Sequence, residues 1–583
     1  MRWMLRDCDL SAADNLARAT GLPTVVARLL IQRGLSTPEA VHEFLHPSLE
    51  HLHSPFAMCG MDVAVERVER AIAQRENILI YGDYDVDGTV AVVILKTGIE
   101  LLGGVTDFHV PHRIREGYGM KDDVIERAAA GGVTLVISVD TGIRAFQAAE
   151  TAKRVGIDLI VTDHHLPEAE MGVPQALAVL NPNQAGCDYP CKDLCGAGVV
   201  FKITQALLSR AGKERLLPSF LKMVALATIA DAVSLSGENR VIAKLGLEGL
   251  RQPVNGGLKA LMQVSQLDGK GRGISSTDVA FRLAPRINAA GRMDIARDVV
   301  ELFTCKNSPR EMELANKLNA LNAERQNEEQ RIVDEVKKRL DEDESLHDAY
   351  CVVIDGEGWH RGVIGIVATR VVERTSRPAL VISRDRESGE AHGSGRSISG
   401  FHLLQALESE GCRHLFTRFG GHAHAVGFAL PSDKVAALRS AADAYARTRL
   451  RPEDLVPTLR VDAEIEFGEI SKSLLMGLRA LEPFGAGNPQ PVLLARNVKV
   501  LRPPEYMKEK HVKLRVAAAG APKLQPYDAI GWRMAETARQ ENYATGDVLD
   551  LAFRIDENDH PEFGGLQLIL SDVRRATVSV GAD

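Results

Sequence analysis

The rhythm of apolar positions changes several times along the chain. Residues 1–57 are broken at Gly34, Pro38, Pro47 and Pro55, which predicts short helices. From Ile78 the pattern becomes apolar, β-rich runs alternating with helix-length segments. Ile78-Leu79-Ile80-Tyr81 ends in Gly82-Asp83, Thr134-Leu135-Val136-Ile137-Ser138-Val139 ends in Asp140, and Leu159-Ile160-Val161-Thr162 ends in Asp163. Continuous runs of this kind are expected of parallel strands buried on both faces. In an open parallel sheet the ligand site lies beyond the carboxyl ends of the strands. Three strands therefore deliver aspartates to one edge.

Leu314, Leu318, Leu321, Ile332, Val336 and Leu340 predict a single long helix over 310–344. Its 11 acidic and 7 basic residues leave it at −4, which suits a solvated connecting helix. Tyr350-Cys351-Val352-Val353-Ile354 begins a second α/β unit that includes Ala379-Leu380-Val381-Ile382-Ser383 and ends near residue 450. After Arg451-Pro452, short alternating strands with Gly and Pro punctuation, such as Val548 to Arg554, predict a small β-barrel. The expected class is α/β, divided into an N-terminal helical segment (1–57), a parallel-sheet domain (58–240), a helical region with the long connecting helix (241–345), a second α/β domain (346–450) and a terminal barrel (451–583).

Composition narrows the function without naming it. The 583 residues are 45% hydrophobic and 25% charged, and 70 Lys plus Arg against 78 Asp plus Glu leave a formal charge of −8. That balance argues against a surface coated in positive charge for indiscriminate nucleic-acid binding, while leaving room for a local basic groove. Eight scattered cysteines form no disulfide framework, and Cys187, Cys191 and Cys195 lack zinc-knuckle spacing. Neither a signal peptide nor a bilayer-spanning run is present, so a cytoplasmic location is expected.

The chemistry concentrates at the strand ends. Gly82-Asp83-Tyr84-Asp85-Val86-Asp87-Gly88 places carboxylates at alternate positions, and Asp163-His164-His165 adds two imidazoles. The calcium-loop reading of the first motif fails, because its twelfth position is Ile94 rather than Glu. So many like charges require compensating cations. Oxygen and imidazole ligands together suit Mn²⁺ well and Mg²⁺ less distinctively, and five or more ligands can hold two ions about 3.5–4 Å apart. His42-Glu43-Phe44-Leu45-His46 matches a zinc-protease pattern, but Pro47 stops the helix that pattern needs. No phosphate-binding G-x-x-x-x-G-K-[ST] loop occurs, which disfavours a nucleotide-driven motor.

Taken together, Gly82 to Gly88, Val139-Asp140-Thr141-Gly142, Asp163-His164-His165 and Thr228-Ile229-Ala230-Asp231 resemble the four motifs of the DHH phosphoesterases. Gly393-Ser394-Gly395-Arg396-Ser397 and Gly420-Gly421-His422-Ala423-His424-Ala425-Val426-Gly427 resemble the DHH-associated domain, with Arg282 to Arg292 between the two sets. The resemblance spans nearly the whole chain. With the barrel it implies a single-stranded-DNA-specific 5′→3′ exonuclease of recombination and repair that releases mononucleotides with two Mn²⁺ or Mg²⁺ ions. It implies metal ligation by Asp83, Asp85, Asp87, Asp140, Asp163, His164 and Asp231, with Asp87, Asp140 and His165 at the chemistry; His165 could be a ligand, an orienting group or a donor to the phosphate. Related enzymes carry a histidine where this chain has Tyr81, and Asp83 is the expected substitute.

Ser394 and Arg396 beside exposed glycine N–H groups suit a terminal 5′-phosphate. The resemblance adds Arg113, Arg286 and His422, and Tyr118 could stack a base. From Arg496 to Arg539, ten Lys or Arg against four Asp or Glu leave +6, interleaved with Tyr506, Tyr527 and Trp532. Such a track, with Lys508, Lys510, Lys513, Arg515 and Trp532 as its expected contacts, is the physics of sequence-independent single-strand binding by an OB-like fold. The expected partners are single-stranded DNA, a single-stranded-DNA-binding protein and a helicase; no membrane is expected, and the expected state is a monomer. A hydrolase of small phosphate substrates is the alternative on the same fold, disfavoured by the barrel and its charge.

Overall fold

The computed structural model describes the chain except for residues 114, 118, 268–272, 294–295, 521–524, 559–563 and 577–583. It divides into two compact units, one of residues 54–231 and 246–457, the other of residues 1–53, 232–245 and 458–583.

The first unit begins with β1 (Asn77–Tyr81), α1 (Val86–Leu101), β2 (Val105–His109), α2 (Asp122–Ala130), β3 (Val133–Val139), α3 (Phe146–Val155), β4 (Asp158–Thr162) and β5 (Ala178–Leu180). The strands pair in the order β2-β1-β3-β4-β5, and every pairing is parallel. Alternation along each strand splits its apolar residues between two layers. Leu79, Tyr81, Val136, Leu159 and Val161 pack with Val124 and Ile125 of α2 and Ala149 and Ala152 of α3. Helix α1 is buried at every position from Val86 to Leu95, and α4 (Gly196–Arg210) is buried from Gly196 to Thr204. This explains why neither helix shows the polar face of a surface helix. The strand order reverses between β1 and β3, which opens a crevice at their carboxyl ends. After α4 come α5 (Leu217–Ala230) and, further on, α6 (Ala284–Met293).

The long helix is α7 (Ser308–Glu342), started by the Asn307 side chain, which accepts from the Arg310 N–H. Leu314, Leu318, Ile332, Val336 and Leu340 form its buried stripe, and Arg331–Glu328 and Arg325–Glu329 are among the ion pairs along it. Next come β6 (Val352–Glu357), α8 (Ile364–Thr375), β7 (Ala379–Arg384), β8 (Glu390–Arg396), β9 (Arg418–Gly421) and β10 (Ala425–Pro431), paired as β9-β10-β8-β7-β6. Only β6 and β7 run parallel. One face of this sheet packs on α7 and α8 through Ile332, Val336, Val367 and Val371, and the other covers Leu403, Leu407 and Leu438. Among the described residues no helix is long and apolar enough to cross a membrane.

In the second unit, strands at 493–500, 548–558, 565–575, 527–531 and 511–518 pair in that order, and 498–500 also pairs with 516–518. The first residues of the chain belong to the same compact unit as this curled sheet. Arg2–Leu5 pairs in parallel with Thr458–Val461, and Leu16, Val26, Leu29, Leu30 and Val41 share one core with Leu514, Leu551 and Phe553. Arg240, buried, donates to the carbonyls of Phe44, Leu481 and Glu482 and lies 3.5 Å over the Phe44 ring. A shared core makes the barrel depend on the N-terminal helices. Leu30→Ala is expected to destabilise this unit by about 2–5 kcal/mol, read as a lower denaturation midpoint in the near-ultraviolet signal of Trp3 and Trp532. An unchanged midpoint would contradict the shared core.

Candidate active site

The site is built where β1, β3 and β4 end. Asp85 caps α1, its side chain accepting from the Gly88 N–H at 3.1 Å, while the Val86 N–H donates to Asn288 Oδ1 of α6. The turn is tight enough that a Cβ on Gly88 would lie 2.6 Å from the Asp83 nitrogen. In the first turn of α1, Asp87 receives the first N–H groups of α4: Gly196 donates at 2.6 Å and Ala197 at 2.8 Å. A carboxylate at a helix N-terminus is stabilised by the N–H groups left unpaired there. Asp140 follows β3 in the left-handed region at φ 59°, a strained conformation for a residue with a Cβ. A Cβ on Gly196 would lie 2.5–2.7 Å from the Asp140 side chain, so glycine here lets helix and carboxylate meet.

His164 Nε2 stands 3.3 Å from Asp140, 3.7 Å from Asp231 and 3.8 Å from Asp87. Single atoms of Asp83, Asp85 and Asp140, of Asp87, His164 and Asp231, and of Asp140, His164 and His165 lie within 4.8 Å of one another in each group. Asp163 is engaged differently. Its Oδ1 accepts from the His164 and His165 N–H groups and from the His165 ring at 2.7 Å, and its Oδ2 from the Ile143 N–H at 2.9 Å. It lies outside those three groups and orients the His165 ring. Tyr81 is buried and donates to the Gly119 carbonyl at 3.3 Å.

Crowding in a dry site sets the electrostatics. Burial, then the neighbouring carboxylates, push Asp83 and Asp140 well above the usual carboxylate range; the same causes raise Asp85 and push Asp231 up to about 8. Asp163 is the exception: burial raises it, but the His165 hydrogen bond and charge bring it below the usual range. Burial opposes the charge on His165 as well, yet its bond to the Asp163 carboxylate and that charge lift it to about 9, so it is cationic at neutral pH. Burial lowers His164, leaving a neutral imidazole suited to ligation. Asp83 Oδ1 and Asp140 Oδ1 are buried and find no hydrogen-bond partner among the described residues. Orphaned carboxylate oxygens beside a neutral imidazole fit a divalent cation, which would supply the missing partner and permit ionisation.

Next to the cluster, a cavity of about 420 Å³ receives Arg113, Arg292, Ser394 and Arg396. The Arg396 guanidinium donates to Ser394 Oγ at 3.3 Å and to the Gly395 carbonyl at 2.7 Å. Arg113 lies 4.9 Å over the Tyr84 ring, between the carboxylate turn and the cavity. Burial, then the other arginines, push Arg292 down to about 10 and lower Arg396. Mutually repelling, desolvated guanidinium groups are what a bound anion relieves. Arg292 is the contribution that sequence reasoning missed, although it closes the Arg282–Arg292 stretch. Arg286 instead donates to Asn319 Oδ1 and to the Arg282 carbonyl, and does not line this cavity. His422 is lowered by burial, then by its neighbours His424 and Arg396. Tyr118 lies outside the described residues.

The barrel unit carries the remaining expected contacts. Lys508 and Glu509, both at positive φ, turn the hairpin between 505–507 and 511–518, with Lys510 just beyond it. Trp532 is 54% exposed and packs edge-on against His511 at 4.8 Å. Lys513 and Arg515 both reach Asp528 at 2.9 Å, so part of the counted positive charge is already compensated. Lys523 lies outside the described residues.

Three family models match the chain: the DHH family N-terminal domain over residues 77–228, the DHHA1 domain over 347–448 and the RecJ OB domain over 461–572. A Bacillus subtilis (strain 168) protein, the single-stranded-DNA-specific exonuclease RecJ, is 37% identical over 98% of this chain and 70% of its own length. The chain belongs to the RecJ family. The fold agrees with that placement. RecJ from Thermus thermophilus, solved in complex with Mn²⁺, aligns over 99% of this chain and 80% of its own at 26% identity and a TM-score of 0.83. The same RecJ with Mg²⁺ aligns over 99% and 79%, at 26% identity and a TM-score of 0.77.

The glycine at the start of α4 offers a check on how closely this RecJ-family site is packed. Gly196→Ala is expected to weaken Mn²⁺ binding at least tenfold in calorimetry while the far-ultraviolet spectrum stays unchanged. Wild-type affinity in that variant would show that the close approach to Asp140 does not matter.

Proposed function

We propose that this RecJ-family chain is a metal-dependent exonuclease that hydrolyses single-stranded DNA from its 5′ end and releases mononucleotides, in DNA recombination and repair. The observation that carries the reading is the juxtaposition of the cation-seeking cluster of Asp83, Asp85, Asp87, Asp140, His164 and Asp231 with the arginine cavity. A strand whose terminal phosphate is held by Ser394, Arg396, Arg113 and Arg292 has its first phosphodiester beside the carboxylates. Grip on the end, rather than on a sequence, makes the enzyme an exonuclease and sets its polarity.

Asp83, Asp85, Asp87, Asp140, His164 and Asp231 would hold two Mn²⁺ or Mg²⁺ ions, which would supply water activation and charge stabilisation at the departing oxygen. Asp140 and Asp87 hold the reacting centre at the switch point, the latter fixed by the two α4 N–H groups. His165, cationic and oriented by Asp163, donates to a non-bridging oxygen of the scissile phosphate as charge develops there. Of the strand-end contacts the resemblance implies, Tyr118 and His422 stand, and Arg286 does not, because it bonds Asn319 and does not line the cavity. In the barrel unit, Lys508, Lys510, Lys513, Arg515 and Trp532 hold the strand by phosphate contact and stacking. The working division is 58–240 and 346–450 for chemistry and end recognition, 241–345 as the connection, and 451–583 with the N-terminal segment 1–57 for the strand. A single-stranded-DNA-binding protein and a helicase are the partners such an activity calls for, in the cytoplasm, with the chain acting as a monomer.

Digestion of 5′- and 3′-labelled single strands with Mn²⁺, Mg²⁺ or chelator tests this reading. Label is expected to leave from the 5′ end alone, and only with metal; release from the 3′ end, or activity in chelator, would overturn it. Asp140→Ala is expected to lose cleavage by at least about 1,000-fold, about 4 kcal/mol in the barrier, while retaining strand binding by filter retention. Arg292→Ala is expected to raise KM for a 5′-phosphorylated strand at least tenfold, and Arg286→Ala by less than threefold. The reverse order would move the phosphate site away from the cavity.

A further inference from the structure

The arginine cavity is larger than one terminal phosphate requires. Its volume, about 420 Å³, falls among cavities that take whole small ligands, about 300–1,000 Å³. It also continues away from the carboxylates. Along β8 the side chains of His392, Ser394 and Arg396 occupy one face, with successive positions about 7 Å apart. Ser394 and Arg396 mark the end shared with Arg113 and Arg292; His392 marks the other end, where Arg361 and Arg418 also line the wall.

Strand register explains the shape. Ser394 lies opposite Gly427, which lies opposite Gly420, and a Cβ on either glycine would meet nothing within 4 Å. That row is an open floor. In the next row His392 lies opposite Ala429, which lies opposite Arg418, so a histidine and an arginine stand at the far edge of the floor. Among the described residues the lining holds five arginines and no carboxylate. Asp385 compensates Arg361 weakly, at 3.7 Å with both side chains in contact with solvent, and Glu390 holds His392 at 2.9 Å. A terminal monophosphate brings a charge of about −2 and reaches only the near end.

We propose that this cavity accepts a 5′-terminal polyphosphate, with Ser394, Arg396, Arg113 and Arg292 on the phosphate joined to the first sugar and Arg361, His392 and Arg418 on the one or two phosphates beyond it. The inference rests on the exonuclease reading above and extends it to strands that still carry a triphosphate at the 5′ end. The chemistry is unchanged. Water adds its oxygen to the phosphorus between the first and second nucleotides, and the bond from that phosphorus to the 3′-oxygen breaks. The 3′-oxygen leaves with a proton, and the shortened strand keeps a 5′-phosphate. The first product is therefore a nucleoside 5′-triphosphate with its anhydride bonds intact, and later products are monophosphates.

The test uses the full-length chain with Mn²⁺ and one single strand prepared with a 5′-monophosphate or a 5′-triphosphate. The wild-type chain is expected to degrade the triphosphorylated strand with a kcat/KM no more than fivefold below that of the monophosphorylated one, releasing the nucleoside triphosphate first. Arg418→Ala is expected to raise KM for the triphosphorylated strand at least tenfold and to leave the monophosphorylated strand within twofold; His392→Gln shifts it the same way. Refusal of the triphosphorylated strand by the wild-type chain, first release of pyrophosphate, or equal loss on both strands in Arg418→Ala would overturn the proposal. Inorganic triphosphate that competes with the monophosphorylated strand, while the triphosphorylated strand is refused, would assign the far end to a free polyphosphate and also overturn it. A chain that degrades neither strand contradicts the exonuclease reading itself.

Discussion

Like charge held out of water is the constraint around which the larger unit is arranged. Asp83, Asp85, Asp87, Asp140 and Asp231 approach one another at the end of a parallel sheet, with Asp83, Asp87 and Asp140 no more than 4% exposed. Without cations Asp83, Asp85, Asp140 and Asp231 resist ionisation, because burial and then the neighbouring carboxylates raise them. Much of the local structure keeps these groups close in spite of that cost. The α4 N–H groups grip Asp87, glycines at 88 and 196 remove the atoms that would hold the walls apart, and Asp140 accepts a left-handed backbone. Asp163, outside the three groups, engages both oxygens in hydrogen bonds and orients His165.

Opposite sign is handled in the same way across the cavity. Arg113, Arg292 and Arg396 repel one another, so an anion among them is favoured just as cations are among the carboxylates. Placing these two like-charged sets in one unit puts a site for a phosphate chain's end beside a site for metal-assisted cleavage. The net charge of −8 conceals this arrangement, because the acidic and basic clusters both lie within local structure and the long helix carries −4 of its own.

Much of this was legible in the sequence because it is local. A strand that ends in aspartate places that aspartate at the sheet edge, and the apolar stripe of the long helix appears at Ser308–Glu342, close to the expected 310–344. Features that depend on distant packing were not legible. Nothing in residues 1–57 taken alone says that Leu29 and Leu30 would share a core with Leu551 and Phe553. Arg286 and Arg292 lie on one helix six positions apart, and only the neighbours of each face decide that one bonds Asn319 and the other enters the cavity. A charge count could not show that Arg515 and Lys513 converge on Asp528, because that contact depends on strand register.

The dependence of the carboxylate cluster on divalent cations is tested most directly by diffraction at the manganese absorption edge from crystals grown with Mn²⁺. The account predicts two anomalous peaks about 3.5–4 Å apart, bordered by Asp83, Asp85 and Asp140 on one side and by Asp87, His164 and Asp231 on the other. An empty cluster at saturating Mn²⁺, or peaks only elsewhere in the molecule, would contradict it.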